Sequence, residues 1–254
     1  MSKVILAAIA ALGLGFAQAA SAADLPVKAP PPAPIVVPSW TGFYLGINGG
    51  GAWGTTDHTD QFAVTTGNFN TSGGLVGGTY GFNWQSGKFV IGYEGDFDWA
   101  NINGTLTTAG PPFGLCSVSG GTTCFTNLKN FSTARGRVGF DLNGWLLFGT
   151  AGYGWGEVNA GQNPCALTVF GGFSCNQTWR SGWVAGGGVE KMFAPHWSVK
   201  VEYLHYDFGN DINYQPATIA GGNRVSVLER GDMVRVGVNY NFGWPSQAPV
   251  VAKY

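Results

Sequence analysis

Charge is scarce in this chain. Only 11% of its 254 residues are charged, against about a quarter in ordinary soluble domains. The thirteen basic residues are balanced by fourteen acidic ones, which leaves no basic surface for a polyanion and argues against a nucleic-acid partner. Beyond residue 22 no run of eighteen apolar residues occurs, so a helical membrane anchor is excluded. Histidine is limited to His58, His196 and His205, and no nucleophile and acid are fixed beside any of them, so the sequence offers no catalytic set. The glycines at 73–78 lie within a strand-like stretch and open no helix, so they form no phosphate cradle, and no cofactor is called for.

What the chain has instead is glycine (42 residues), aromatics (14%) and segments of about ten residues in which apolar side chains alternate with small or polar ones. At Trp197 Ser198 Val199 Lys200 Val201 Glu202 Tyr203 the alternation puts Val199, Val201 and Tyr203 on one face of a strand and Lys200 and Glu202 on the other. Repeated around a closed sheet, greasy face outward and charged face inward, this predicts a transmembrane β-barrel rather than a soluble sandwich.

The chain divides into four parts. Residues 1–22 carry Lys3, an apolar run from Val4 to Phe16 and the small-residue end Ala20 Ser21 Ala22, the pattern of a secretory signal peptide. Residues 23–39 are a Pro-rich periplasmic leader that is not expected to pair in a sheet. Residues 40–242 are the barrel, and 243–254 a tail.

Eight antiparallel strands are predicted at 40–53, 71–84, 88–100, 129–141, 144–157, 179–193, 197–208 and 230–242. The connections alternate short and long. Gln85 Ser86 Gly87, Leu142 Asn143 Gly144 and Ala194 Pro195 His196 are short, and Asn143 Gly144 is a strong hairpin signal. The stretches 54–70, 101–128, 158–178 and 209–229 are long. Short turns on the periplasmic side and long loops outside are the asymmetry of bacterial outer-membrane barrels. His58 falls in the first loop, His196 in a periplasmic turn, and His205 outward near the outer rim.

Alternation also predicts the lumen. With Phe89, Ile91, Tyr93, Phe97 and Trp99 facing lipid, Glu94, Asp96 and Asp98 face inward. By the same reading Arg135, Arg137, Lys200, Glu202 and Arg235 are inward. Such groups avoid hydrocarbon and can pair inside one narrow tube. An eight-stranded interior is just filled by side chains. The network therefore reads as a plug that stabilises the barrel, with an ion-conducting path as the alternative. Cys116 and Cys124, and Cys165 and Cys175, form close pairs in an oxidising compartment, and two local disulfides are preferred among the three connectivities. A metal site is the rival reading, but neither segment holds a histidine or carboxylate.

Trp40 Thr41 Gly42 Phe43 Tyr44 Leu45 Gly46, Gly81 Phe82 Asn83 Trp84, Gly92 Tyr93 Glu94 Gly95 Asp96, Arg135 Gly136 Arg137 Val138 Gly139, Gly186 Gly187 Gly188 Val189 Glu190 and Val234 Arg235 Val236 Gly237 Val238 Asn239 Tyr240 Asn241 Phe242 occur in this order. In these segments the chain resembles the small outer-membrane immunogenic protein family of alphaproteobacteria, a porin-superfamily group of eight-stranded barrels. The resemblance implies residence in the outer membrane, loops exposed outside, and a structural or surface-antigen role, with pore formation or haemin binding in some relatives. Implied partners are outer-membrane lipid and lipopolysaccharide, the barrel assembly machinery during insertion, and host or envelope molecules at the loops. A narrow porin and, more remotely, a lipid-modifying enzyme or haemin binder at His58 or His205 are the competing functions. Relatives commonly end on a strand aromatic such as Phe242, yet this chain continues to Tyr254. Pro245 and Pro249 argue against a regular ninth strand, leaving either a periplasmic extension or Tyr254 as the terminal aromatic.

Overall fold

The computed structural model describes residues 36–37, 39–107, 116, 123–167, 173–214, 224–243 and 246–247. The signal segment and most of the leader and tail lie outside the described residues. The barrel strands are β1 (Gly42–Asp60), β2 (Phe69–Ser86), β3 (Phe89–Leu106), β4 (Thr123–Asp141), β5 (Trp145–Asn163), β6 (Cys175–Ala194), β7 (Trp197–Tyr214) and β8 (Val225–Asn241). Each pairs antiparallel with its neighbour, and β1 pairs with β8 from Tyr44↔Asn241 to Asp60↔Val225, which closes the barrel and leaves it no free edge.

Alternation sets the register. On β3, Ile91, Tyr93, Phe97 and Trp99 are exposed while Glu94, Asp96 and Asp98 are buried, because slipping the strand by one residue would turn three carboxylates into hydrocarbon. Ten residues separate Phe43 from Trp53, Phe89 from Trp99, and Trp145 from Trp155, all outward. At about 3.3 Å per residue and a tilt near 40°, that span is about 25 Å high, the thickness of an outer-membrane apolar band. These aromatic ends mark the two interfaces, and the strand segments between them are the membrane-spanning parts.

The hairpins at the short-turn end follow from local chemistry. Leu142 and Trp145 exchange backbone hydrogen bonds across Asn143 and Gly144, whose φ values of 56° and 83° fit the left-handed turn that Asn-Gly favours.

Two expectations are corrected. The strands run beyond the predicted ends on the long-loop side: β1 to Asp60 rather than 53, β3 to Leu106 rather than 100, β4 from Thr123 rather than 129. Outside the membrane the outward positions become polar, as at Thr55, Asp57 and Thr59, so the apolar alternation fades while backbone pairing continues. The leader, read as unable to pair, contributes Val36–Val37 to a two-residue ladder with Ser246–Gln247 of the tail. Both pieces are prolines' neighbours that keep their own N–H groups.

Candidate functional site

The lumen is filled in stages that can be followed along the strands. At the periplasmic end Trp40, buried just before β1, packs with Val90, Leu146 and Phe148. Its indole Nε1 donates to Asp141 Oδ1 at 3.2 Å and its backbone N–H to Gln85 Oε1 at 2.8 Å, so the residue is held through both its ring and its backbone.

Next comes the charge network. From β4, Arg135 donates to Glu94 at 2.7 Å, to Asp96 at 2.8 Å and to Glu202 at 2.7 Å. From β8, Arg235 reaches Asp98 at 2.6 Å, Asp96 at 2.8 Å and Glu202 at 2.7 Å. Lys200 of β7 meets Glu94 at 2.7 Å. Arg137 pairs with Glu190 at 2.8 Å and lies over the Phe148 ring at 4.1 Å. Side-chain exposure in these pairs is 0–2%, so each charge is withdrawn from bulk solvent and must be offset by its protein partners. Room for this comes partly from Gly77 of β2, where a Cβ would come within 2.1 Å of Asp98 Oδ1.

Toward the outside the same strands turn apolar. Ile102 follows Asp98 on β3, Phe131 and Leu128 precede Arg135 on β4, Leu204 and Tyr206 follow Glu202 on β7, and Met233 precedes Arg235 on β8; all are buried in one cluster. Above them His58 of β1 is buried, its Nδ1 2.9 Å from Tyr214 Oη and its Nε2 2.8 Å from Thr126 Oγ1. His58 lies five positions beyond Trp53, outside the membrane-spanning part of β1. Burial pushes its imidazole down to about 4. Glu229, on the row of Thr56, is likewise beyond the girdle, and burial pushes its carboxyl up to about 8.

All eight charged residues predicted for the lumen are buried and lie in one bonded network. Glu190, Tyr44 and Asn48 also belong to the buried lumen and were not read as such. Glu190 follows Gly186–Gly188, where bare glycines blur the face assignment. The cysteines form Cys116–Cys124 and Cys165–Cys175. They are not confined to loops, since Cys124 lies in β4 and Cys175 opens β6. His58 is not a loop residue: it sits inside the barrel because β1 continues past the membrane. With both ring nitrogens already bonded, it has no free edge for a haem iron. His205 is outward on β7, as read, and its Nδ1 lies 2.8 Å from Asp232 Oδ1. Among the described residues no serine or threonine hydroxyl bonds to this imidazole.

A closed sheet of eight strands with a buried, charge-paired interior and an apolar outer band about as tall as an outer membrane defines an outer-membrane β-barrel. The chain matches, over residues 7–242, the family described as Outer membrane protein beta-barrel domain, and it belongs to that family. It is 34% identical over 259 residues to the 31 kDa outer-membrane immunogenic protein of Brucella melitensis, covering 95% of this chain and 100% of that protein. It is 30% identical over 243 residues to the 25 kDa outer-membrane immunogenic protein of the same species, covering 93% and 97%. Its fold is similar to that of the outer membrane protein OprG from Pseudomonas aeruginosa, with a TM-score of 0.50 at 13% identity over 82% of this chain and 100% of that one. The outer membrane is its location.

Proposed function

We propose that this chain is a closed structural barrel that contributes to envelope integrity and carries surface loops for contacts with lipopolysaccharide, neighbouring envelope molecules or host molecules. The observation that carries this reading is the filling of the lumen. Trp40, the charge network and the apolar cluster follow one another along the strands, and the ion-paired side chains have 0–2% exposure. Conduction needs sites that an ion can enter and leave. Here the carboxylates and guanidiniums already bond one another, so an ion would have to break buried pairs to pass. The two disulfides, both at the outer end, support loops that are tied in place as contact surfaces.

The test is made in cells and in vesicles together. A strain lacking the chain is expected to become more sensitive to detergents and to recover when the chain is restored. Proteoliposomes containing it are expected to swell in sugar or salt solutions no faster than empty vesicles. Swelling that depends on solute size would replace this reading with a narrow pore.

A further inference from the structure

The outer face of the barrel carries a groove of about 460 Å³, with apolar and polar groups in its lining, where β7, β8, β1 and β2 meet. Trp53, Thr55, Ser72, His205, Arg230 and Asp232 line it. Register explains the assembly. Ser72, Trp53, Asp232 and His205 are successive partners on one outward row, and Asn70, Thr55 and Arg230 are successive partners on the next row toward the outside. Trp53 ends the apolar band, so the groove lies at the depth of the outer-leaflet headgroups.

The charges around it are unevenly occupied. Asp232 accepts the Tyr203 hydroxyl at 2.6 Å and faces His205 Nδ1 at 2.8 Å, so its Oδ1 is doubly engaged. Asp207, opposite Arg230 in register, accepts the Gly209 N–H at 2.7 Å, and Asp57 accepts two threonine hydroxyls. Arg230 makes no ion pair among the described residues; its Nε reaches only Thr55 Oγ1, at 3.4 Å. An arginine left without a carboxylate beside hydroxyl and amide groups is suited to a phosphate flanked by sugar hydroxyls.

Below the groove the surface is recessed. Gly51 and Gly74 are outward partners, with Gly49 next along β1. A Cβ at Gly51, Gly74 or Gly49 would meet nothing nearer than 3.8, 3.6 and 3.5 Å respectively. These glycines do not serve tight packing within the sheet. They leave a trough beside Val234 and Val236, running from the groove into the apolar band.

We propose that this groove and trough bind one lipopolysaccharide molecule of the outer leaflet, deepening the surface-contact part of the reading above. Arg230 holds a phosphate of the glucosamine headgroup. Thr55, Asn70 and Ser72 meet sugar hydroxyls, and an acyl chain lies over Gly51 and Gly74. The closed lumen is not involved, so conductance experiments and this proposal stand or fall separately.

The experiment is native mass spectrometry of the folded barrel in detergent, titrated with lipid A and, in parallel, with phosphatidylglycerol. Arg230→Gln removes the cation that makes no ion pair among the described residues, Gly51→Val puts a side chain into the trough with its Cβ no nearer than 3.8 Å to a neighbour, and Lys191→Gln removes an outward cation at the opposite rim, over Trp145. All three variants are expected to keep the heat-modifiable migration of a folded barrel. Lipid A is expected to be retained in preference to phosphatidylglycerol. Its binding should weaken about tenfold in Arg230→Gln, as for loss of a charge-assisted hydrogen bond, weaken also in Gly51→Val, and stay unchanged in Lys191→Gln. Equal binding of both lipids, unchanged binding in Arg230→Gln, or an equal loss in Lys191→Gln would overturn the proposal.

Discussion

Arg135 and Arg235, rooted on β4 and β8 four strands apart around the barrel, donate through Nη2 to the same oxygen, Asp96 Oδ2, each at 2.8 Å. Thr133 Oγ1 donates to that oxygen as well, at 2.8 Å. One carboxylate thereby ties opposite walls of the tube together. The two guanidiniums would repel each other at this distance, and they are held by Asp96 with Glu202, which also accepts from both.

Removing one cation should therefore expose the rest of the network to its own repulsion. Arg235→Ala leaves Asp96, Asp98 and Glu202 short of a partner in the buried interior, at a cost of about 3–5 kcal/mol. Urea unfolding in detergent or vesicles, followed by heat-modifiable migration, measures it. Arg235→Lys should recover only part of the loss, since an ammonium cannot reach three carboxylates in the planar fork geometry.

The acids should differ in a ranked way. The network holds five carboxylates (Glu94, Asp96, Asp98, Glu190, Glu202) against four cations (Arg135, Arg137, Lys200, Arg235). Among the described residues Asp98 pairs only with Arg235, whereas Glu202 faces Arg135, Arg235 and Lys200. Asp98→Asn relieves the excess negative charge and should unfold close to wild type. Glu202→Gln should be clearly less stable in the same urea series, and the reverse order would contradict the bonding described.

The outer face should be sensitive by depth. Ile47, outward midway between Phe43 and Trp53, is 72% exposed on the lipid side. Ile47→Arg should cost about 2–4 kcal/mol in vesicle folding. Asn103→Arg, outward but four positions beyond Trp99 on β3, should be nearly neutral.

Acid should loosen the outer end through His58. Its folded value is about 4 and its ordinary value 6.5. Below pH 6.5 the unfolded chain therefore takes up a proton that the folded chain refuses. Stability is full above pH 6.5, falls as pH drops, and stops falling near pH 4. Glu229 works in the opposite sense, its stabilising protonation being lost between its ordinary value of 4.5 and about 8. The comparison of wild type with His58→Gln cancels Glu229. The variant's advantage should grow between pH 6.5 and 4 in unfolding titrations, and a constant difference would count against buried neutral His58.

Reduction of the disulfides should act locally. Cys116–Cys124 and Cys165–Cys175 span 8 and 10 residues at the outer end, closures worth about 2.5 kcal/mol each on chain-entropy grounds. Reduced protein should lose loop resistance to chymotrypsin while keeping the heat-modifiable migration of the barrel. Collapse of the barrel itself would show that the loops hold it together.

The barrel was legible where lipid imposes alternation. Phe89 to Trp99 and Val234 to Phe242 state their faces outright, and with them the inward positions of Asp96 and Arg235. Legibility ended where lipid ends. Beyond Trp53 both faces of β1 carry Thr, Asp and His, so neither the continuation of the strand nor the burial of His58 could be read. Glu190 was hidden for a different reason, because three preceding glycines have no side chains to declare a face. The groove at Arg230 and His205 was out of reach because it joins side chains from segments more than 150 residues apart, an adjacency set by closure of β1 on β8.

The most direct test of the closed lumen is single-channel recording of the refolded barrel in a planar bilayer, beside an Arg135→Ala, Arg137→Ala double variant. A silent wild type and a variant that is less heat-resistant or newly leaky is the predicted result. Steady wild-type conductance, with ion selectivity altered in the variant, would contradict it and make the charged interior a pathway.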